Sequence, residues 1–465
     1  MQASTPVPIS IEDLAARVQG RVITPDDAAY DAIRQVVSGE FYRRPAAIVR
    51  VRDAADVAAT VRFARYTGVP FAVRSGGHSG AGHSTNDGGL VIDLRDMKAI
   101  EIDAAARTAW AETGLTAGEY SVAAAEHSLA TGFGDTGSVG IGGITLGGGI
   151  GYLVRKHGMT IDSLLDAEIV TADGEVVEAS ADAHPDLFWA IRGGGGNFGV
   201  ATRFKFQLVD VAEFVGGMLI LPADAEVVAR FMAEAAAAAE ELSTIANVMP
   251  CPPMPFVREE DHGSLVVMAF MAWAGDVEEG QRVLDRFRGL ATPLADMTRR
   301  MPYPEIYPPE DPDNVYHPMA VARNFFAGAI DRDAAAKIVE GLEASDAPMR
   351  VAQLRALGGA LSRVPSDATA FAHRTSPVMV MVAAFYEGEE DRAAKEAWVD
   401  SLVASLRGEV DSVYVNFLGD EGPERLRAAY PGDTWDRLAA VKARYDPDNL
   451  FTSNHNVTPA VAGTA

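Results

Sequence analysis

Glycine and histidine residues in three short segments give this chain its clearest chemical potential. Six glycines fall within residues 74–89, ten within 132–151 and five within 193–199, so these windows hold 21 of the 44 glycines. Because glycine lacks a Cβ, its backbone can adopt positive φ angles and approach a ligand closely. One such cluster is typical of a tight turn, whereas three clusters beside strand-like segments favour a large ligand bound by main-chain N–H groups.

Two histidines, His78 and His83, stand within the first cluster in the run RSGGHSGAGH. A metal site is disfavoured, because this glycine-rich loop has no carboxylates or thiols nearby in sequence. A neutral imidazole can also act as a nucleophile. The alternative for either histidine is a hydrogen bond within the turn.

The run GGGNFG at 194–199 satisfies the spacing Gly-x-Gly-x-x-Gly. A dinucleotide-binding loop of that spacing leaves a strand and opens a helix. Here a helix-like segment, DLFWAIR, precedes the run and an alternating segment, ATRFKFQLV, follows it. We therefore exclude a Rossmann NAD site, and P-loop, HExxH zinc-protease and GxSxG hydrolase motifs are also lacking.

The bulk composition limits the class of protein and of partner. The chain has 465 residues, 48% hydrophobic and 23% charged, which predicts two or three globular domains. A formal charge of −25 disfavours nucleic acid and anionic membranes as partners. The single cysteine, Cys251, excludes an internal disulfide and a multi-cysteine metal site, so no metal is expected. Neither a signal peptide nor a span of ~20 apolar residues occurs, which predicts a cytoplasmic location.

The segments between the glycine clusters predict an α+β domain over residues 1–211, with its core at 42–211. A strand at 47–51, an amphipathic helix at 54–67 and a strand at 70–74 form a β-α-β unit that leads into the first cluster. Further short strands and two helices follow as far as Asp210.

A second domain over 212–405 and a C-terminal element over 406–465 are predicted after it. The alanine-rich run VVARFMAEAAAAAEELS predicts a helix, and SLVVMAFMAWAG and PVMVMVAAFY predict long strands of an antiparallel sheet covered by helices. Near the C-terminus the sequence predicts a strand at DSVYVNFLG and a helix at DTWDRLAAVKARY.

Five motifs together resemble a known family. They are PFAVRSGGHSGAGHSTNDGGLVIDLRDMKAIEID, VGIGGITLGGGIGYLVRKHGMTIDSLLDAEIVTADGEVVEAS, HPDLFWAIRGGGGNFGVATRF, YVNF and YDPDNLFTSNHNV. The first three resemble the PCMH-type FAD-binding domain of the vanillyl-alcohol oxidase superfamily. The last two resemble the C-terminal element of bacterial berberine-bridge-enzyme-like FAD-linked oxidases. The resemblance covers about 42–211 and 410–460.

The resemblance implies an FAD site built largely from backbone. The first loop would wrap the pyrophosphate, the second cluster would contact pyrophosphate or isoalloxazine, and Val200 would lie at the adenine or ribose end. Asn416 and Asn454 would bond the isoalloxazine edge. The implied cofactor-binding residues are Arg74, Ser75, Gly76, Gly77, His78, Ser79, Gly82, His83, Thr136, Gly137, Ser138, Val139, Gly140, Gly142, Gly143, Ile144, Gly151, Val200, Tyr414, Asn416 and Asn454.

Three positions specify how the FAD would be held and reoxidised. His78 matches the family position that bonds covalently to the flavin, and Thr136 stands where many relatives carry a second, cysteine link. One covalent bond is therefore implied. Val139 matches a small gatekeeper that admits dioxygen in oxidase members, which favours an oxidase that forms H2O2.

The same resemblance implies a catalytic role for Tyr414, which matches a tyrosine base, although a tyrosine that only packs against the flavin is the alternative. A small organic alcohol or amine, aromatic or a secondary metabolite, is the expected substrate, with dioxygen as acceptor and a monomer or homodimer as the assembly. Alternatives are a dehydrogenase with another acceptor, a carbohydrate oxidase and a non-catalytic flavin-binding scaffold. An apolar pocket ceiling is expected from Met268, Phe270, Met271, Trp273, Met379, Met381 and Phe385, most of which could equally be ordinary core.

Overall fold

The computed structural model describes residues 10–308, 317–408 and 411–461. Residues 1–9 of the first predicted domain and 462–465 of the C-terminal element therefore lie outside the described residues. The helices are α1 (Ile11–Ala15), α2 (Tyr30–Ile33), α3 (Ala54–Thr67), α4 (Ala117–Ala125), α5 (Ile141–Gly147), α6 (Val154–His157), α7 (Pro185–Ile191), α8 (Ala225–Ala237), α9 (Val277–Arg288), α10 (Arg332–Ala344), α11 (Ala360–Arg363), α12 (Glu389–Arg407), α13 (Gly422–Ala428) and α14 (Thr434–Tyr445). The strands are β1 (Arg21–Ile23), β2 (Ala47–Arg50), β3 (Phe71–Arg74), β4 (Leu90–Asp93), β5 (Ile100–Asp103), β6 (Thr108–Glu112), β7 (Leu129–Ala130), β8 (Leu164–Val170), β9 (Val176–Ser180), β10 (Val200–Gln207), β11 (Val209–Asp210), β12 (Val215–Pro222), β13 (Leu242–Pro250), β14 (Leu265–Trp273), β15 (Ala295–Asp296), β16 (Arg299–Arg300), β17 (Met319–Ala327), β18 (Arg350–Ala356) and β19 (Val378–Tyr386).

A four-stranded sheet positions the first glycine cluster. Its order is β1-β2-β4-β3, and both β2 and β3 run parallel to β4. Helix α3 joins β2 to β3; the side chain of Asp53 caps its first turn, and it ends at Gly68 in the left-handed conformation. Because β3 ends at Arg74, the glycine loop begins at the carboxyl edge of this sheet, where ligands bind in parallel sheets.

A five-stranded antiparallel sheet in the order β5-β6-β10-β8-β9 forms the other half of the N-terminal domain. Its core also contains Val413, Val415, Leu438 and Val457 from the C-terminal element. The end of the chain therefore packs on the N-terminal half of the molecule, next to the glycine clusters.

The middle of the chain folds into an antiparallel sheet of eight strands. The strand order is β15-β12-β14-β13-β18-β19-β17, and β16 pairs beside β12. Helices α8, α9, α10 and α12 pack on one of its faces and form the largest hydrophobic core with it. Strand residues alternate between the two faces, so Met271 and Trp273 belong to the helix-covered core. The predicted α+β fold class is confirmed.

Two predicted elements differ from the structure. The alanine-rich helix ends at Ala237, because the chain from Leu242 onward pairs between β14 and β18 and tertiary pairing overrides the helical propensity of the run. The predicted strand at 411–419 is wrong. There the Tyr414 N–H donates to the side-chain oxygen of Asn324 at 2.6 Å instead of to a neighbouring strand, and a short 3-10 turn follows.

None of the described helices is long and apolar enough to cross a membrane. Within the described ranges, no group of three or more His, Cys, Asp or Glu side chains is placed to hold a metal ion.

Candidate functional site

A cavity of ≈ 440 Å³ lies where the glycine clusters, the C-terminal element and the eight-stranded sheet meet. Each of the three clusters contributes to its wall. The predicted site residues that line it are Ser75, Gly76, Gly77, His78, Ser79, His83, Thr136, Val139, Gly140, Gly142, Gly143, Ile144, Val200, Asn416 and Asn454.

The first and second glycine clusters touch each other backbone to backbone. A Cβ built on Gly76 would lie 2.2 Å from the Gly140 nitrogen, and a Cβ on Gly140 would lie 2.1 Å from the Gly76 nitrogen. Ser75 also joins the two clusters, since its Oγ accepts from the Gly142 N–H at 3.3 Å, and the same Oγ donates to the Thr113 carbonyl at 2.5 Å. Glycine is needed here because a side chain would force the two loops apart.

His78 lies at the tip of the first loop, half-buried in the cavity wall. The residue before it, Gly77, has φ +79°, a conformation that favours glycine and turns the chain so that His78 follows. The Val37 N–H donates to the Gly77 carbonyl at 3.1 Å, which ties the loop to the segment that precedes β2.

His83 forms a pair with His455 of the C-terminal element. The two rings meet edge to face with their centres 4.6 Å apart, and both residues line the cavity. Burial lowers the pKa of His83 to about 3 and that of His455 to about 4, so both rings are neutral at physiological pH. The Nε2 atom of His83 is buried without a hydrogen-bond partner among the described residues.

Six of the predicted site residues do not line the cavity: Arg74, Gly82, Gly137, Ser138, Gly151 and Tyr414. Arg74 is fully buried behind the loop, where its guanidinium donates to the carbonyls of Ile33, Arg34 and Ser84 at 2.6, 3.1 and 3.1 Å. Burial lowers its pKa to about 10. Arg74 thus supports the loop from inside the protein.

The glycines of this group have packing roles instead. The carbonyl of Gly137 accepts from the N–H of helix residue Gly118 at 2.8 Å. A Cβ at Gly151 would lie 2.2 Å from the Phe133 carbonyl, and one at Gly82 would overlap the ring of Phe41.

Tyr414 is 2% exposed, and its hydroxyl points toward the backbone of the second cluster. The hydroxyl accepts from the Gly149 N–H at 2.7 Å and from Asn416 Nδ2 at 3.0 Å. Asn416 Nδ2 also donates to the Ile144 carbonyl at 3.0 Å, so the pair holds the segment 144–149 in place. Burial raises the pKa of Tyr414 to about 12.

Sequence reasoning missed the buried cation that anchors the third glycine cluster. Lys442 is fully buried and donates to Asp446 at 2.6 Å, to the Asn197 carbonyl at 2.7 Å and to the Phe451 carbonyl at 3.0 Å. Asn197 in turn donates to the His455 carbonyl. The spacing of Lys442 and Asp446, one helical turn apart, is the sequence signal for their ion pair, but it does not identify the glycine cluster as their partner.

The end of the cavity nearest the eight-stranded sheet is largely apolar. Ala322 and Met381 reach it from β17 and β19, and Phe417 reaches it from the C-terminal element. Of the predicted apolar ceiling, Met381 lines the cavity, whereas Met271 and Trp273 lie in the core on the opposite face of the sheet. Asp135 and Phe417 also line the cavity and were not predicted; Gly194 to Asn197 of the third glycine cluster line it too, although they were not among the residues that the resemblance implied.

The residues present fit the predicted FAD. A Cβ at Gly143 or Gly196 would meet nothing within 4 Å, so open space lies beside these two wall glycines. The side-chain oxygen of Asn454 and Nε2 of His83 are buried, and the described part of the chain offers them no partner. Such groups are costly unless a ligand or water satisfies them. Backbone N–H groups of the loops could hold a diphosphate without lysine or arginine.

Two family models match the chain in the regions that build this site. The model described as "FAD binding domain" matches residues 45–180, and the model described as "Berberine and berberine like" matches residues 413–458.

Curated relatives match the chain along nearly its whole length. (R)-6-hydroxynicotine oxidase of Paenarthrobacter nicotinovorans is 31% identical over 464 residues, which cover 95% of this chain and 97% of that protein. An uncharacterised FAD-linked oxidoreductase of Bacillus subtilis is 30% identical, with 95% and 98% covered.

Solved structures give the same result. The crystal structure of 6-hydroxy-D-nicotine oxidase from Arthrobacter nicotinovorans has a TM-score of 0.83 at 30% identity and covers 95% of this chain and 98% of its own. The berberine-bridge-enzyme-like protein 1 of Physcomitrella patens has a TM-score of 0.84 at 23% identity, with 97% and 99% covered, and shares the fold.

Proposed function

The chain belongs to the family of berberine-bridge-like, FAD-linked oxidoreductases, and from this membership we propose that it is an oxidase whose FAD is attached covalently to His78. Its proposed substrate is a small organic alcohol or amine, and its proposed electron acceptor is dioxygen, with H2O2 as product. The observation that supports this most is that His78, Thr136 and Val139 line one cavity together with all three glycine clusters.

Bound FAD would supply the acceptor for a hydride from the substrate. The chain's contribution is to hold the cofactor and to exclude water. The proposed diphosphate ligands are main-chain N–H groups of Ser75 to Ser79 and of the second glycine cluster around Gly140. Consecutive N–H groups can bind an anion without a basic cluster. Asn454 and His83 offer the buried polar atoms described above to the same cofactor.

His78 is the proposed sole covalent anchor. It lies in the wall of the cavity on a loop whose position is fixed by the contact between Gly76 and Gly140. Thr136, which lines the same cavity, carries no thiol, and the single cysteine of the chain, Cys251, is buried in the hydrophobic cluster beside the eight-stranded sheet. A second covalent link, which would be a thioether from a cysteine, is therefore not part of the proposal.

Val139 supports the assignment as an oxidase. It is half-buried in the cavity wall, and we propose that its short side chain is the gatekeeper that admits dioxygen. Tyr414 stays a predicted base, but its placement supports the alternative role better, because its hydroxyl is buried against Gly149 and Asn416 rather than in the cavity.

The covalent bond is tested by denaturing the purified yellow protein in acid and measuring flavin fluorescence in the protein band. We expect the fluorescence to stay with the wild-type protein and with the His83→Ala variant, and to be lost from His78→Ala. Release of the flavin from wild-type protein, or its retention by His78→Ala, would refute the covalent assignment.

The oxidase assignment is tested separately by stopped-flow mixing of the chemically reduced protein with air-saturated buffer. Rapid recovery of the oxidised flavin spectrum, with H2O2 formed, is expected. Reoxidation that takes minutes would instead indicate a dehydrogenase that uses another acceptor.

A further inference from the structure

The charged side chain that lines the cavity is acidic. Asp135 is the one acidic side chain in the wall, and within the described ranges no Lys or Arg side chain lines it. The chain as a whole carries a formal charge of −25. The negative charge of the whole molecule therefore favours the approach of cations, and Asp135 is the charged side chain that a ligand would meet in this wall.

Asp135 lies at the end of the cavity that faces the eight-stranded sheet. Its Oδ2 atom accepts from Arg355 Nη2 of β18 at 2.5 Å, across a separation of 220 residues in the sequence. Among the described residues, its Oδ1 atom accepts one long hydrogen bond, of 3.4 Å from Thr136, and 25% of the side chain is exposed. Oδ1 therefore retains lone pairs for a ligand.

Arg355 holds the carboxylate from behind. It is 2% exposed; its Nη1 donates to the Ile150 carbonyl at 3.0 Å, and its Nε and Nη2 donate to Gln353 Oε1 at 2.9 and 2.7 Å. Its guanidinium also lies 5.0 Å from the centre of the Phe417 ring. Because the arginine is buried and the aspartate reaches the cavity, a ligand meets the negative end of this ion pair.

The surroundings of Asp135 suit an apolar body attached to the charged group. Met381, Ala322, Phe417 and Val139 line the cavity and offer apolar surface to a ring or alkyl chain. A neutral polyol would find few polar partners among these side chains.

We propose that Asp135 determines the substrate class of this site by binding the protonated nitrogen of a small apolar or aromatic amine, with Arg355 as the residue that positions it. The inference concerns binding, and it rests on the proposed function because it selects the amine from the two proposed substrate classes. Charge-assisted hydrogen bonds of this kind are about twice as strong as neutral ones.

Three planar probes of one shape test the proposal: benzamidine, which is cationic, benzamide, which is neutral, and benzoate, which is anionic. Binding to the flavin-containing protein is measured by calorimetry and by the change in flavin absorbance. We expect benzamidine to bind about tenfold tighter than benzamide, and benzoate to bind more weakly than either. Equal affinity for benzamidine and benzamide, tighter binding of benzoate, or no binding of benzamidine at millimolar concentration would overturn the proposal.

Three variants assign the preference to a residue. Asp135→Asn is expected to weaken benzamidine binding about tenfold and to change benzamide binding less than about twofold, whereas Asp135→Glu keeps the preference. Asp182→Asn removes the same charge from an exposed position of the N-terminal half and is expected to change neither affinity. An Asp135→Asn protein that still prefers benzamidine would overturn the role of Asp135.

The probe experiment also separates this inference from the proposed function. A purified protein without a flavin spectrum fails the proposed function. A flavin-containing protein that oxidises alcohols and binds the three probes without regard to charge keeps the proposed function and refutes the amine preference. If Asp135→Asn does not fold, the comparison of the probes on wild-type protein and on Asp135→Glu still decides the outcome.

Discussion

Replacement of Gly140 by alanine is expected to separate the two loops that form the cofactor wall. The added Cβ would lie 2.1 Å from the Gly76 nitrogen and 2.1 Å from Ser75 Oγ. Ordinary contact begins at 3.4 Å, so the loops must move apart by about 1.3 Å. The backbone of Gly76 cannot rotate away as a flexible side chain could.

The cost follows from that displacement. Overpacking a well-packed site costs about 1–3 kcal/mol, and the two hydrogen bonds of Ser75 Oγ are strained in the same movement, so we expect a loss of about 2–3 kcal/mol. For a half of the molecule of about 200 residues this lowers the Tm by about 4–12 °C. Because the loop that carries His78 moves, the amount of bound flavin should fall as well.

Gly328→Ala is the matched control, because Gly328 is exposed at the end of β17, does not line the cavity, and its Cβ would meet nothing within 4 Å. Replacing this glycine by alanine should leave the flavin content unchanged and should leave the Tm unchanged or raise it slightly. Both variants are compared by thermal unfolding followed by circular dichroism and by the ratio of flavin to protein absorbance. A Gly140→Ala protein with wild-type Tm and flavin content would refute the argument that the loops need this backbone contact.

Three further predictions follow from buried groups. Lys442→Met should lower stability by about 3–5 kcal/mol, because it leaves Asp446 buried without its cation; a Tm scan checks this, and the double variant with Asp446→Asn should recover part of the loss. Tyr414→Phe should lower kcat by less than about tenfold with the best substrate of an amine and alcohol panel, whereas loss of a catalytic base costs about 10²–10⁴-fold. His455 has a pKa lowered from 6.5 to about 4 by burial, so the unfolded chain gains a proton below pH 6.5 that the folded chain takes up only near pH 4. The stability that comes from keeping His455 neutral is therefore complete above pH 6.5 and is lost as the pH falls to about 4. Urea titrations across that range measure the free energy of unfolding, and its slope against pH should be shallower for His455→Asn by as much as about 1.4 kcal/mol per pH unit.

Local sequence signals were sufficient for the elements that carry the first glycine cluster. Helix α3 has the bounds that its amphipathic pattern predicts, 54–67, and Asp53 and the left-handed Gly68 cap its two ends through contacts within one turn. The same holds for β3 and for the long strands β14 and β19, whose apolar runs are bounded by turn residues.

Contacts between distant segments could not be predicted in this way. The strand predicted around Tyr414 failed because the alternation of apolar residues there serves packing against the N-terminal core, while Asn324 takes the backbone N–H. The pairing of Asp135 with Arg355 depends on how β18 lies over the cavity, which no local pattern encodes. Likewise, the sequence alone would place Lys442 on the exposed face of an amphipathic helix. It is buried because the C-terminal segment that contains Phe451 packs over it.

The covalent bond to His78 is tested most directly by mass spectrometry of the wild-type protein, which requires no variant to fold. Trypsin releases the peptide SGGHSGAGHSTNDGGLVIDLR, which contains both His78 and His83. We predict that its mass is increased by that of FAD less two hydrogen atoms, and that fragmentation places the addition on His78. An unmodified peptide from protein that contains flavin, or an addition on His83, would contradict the account.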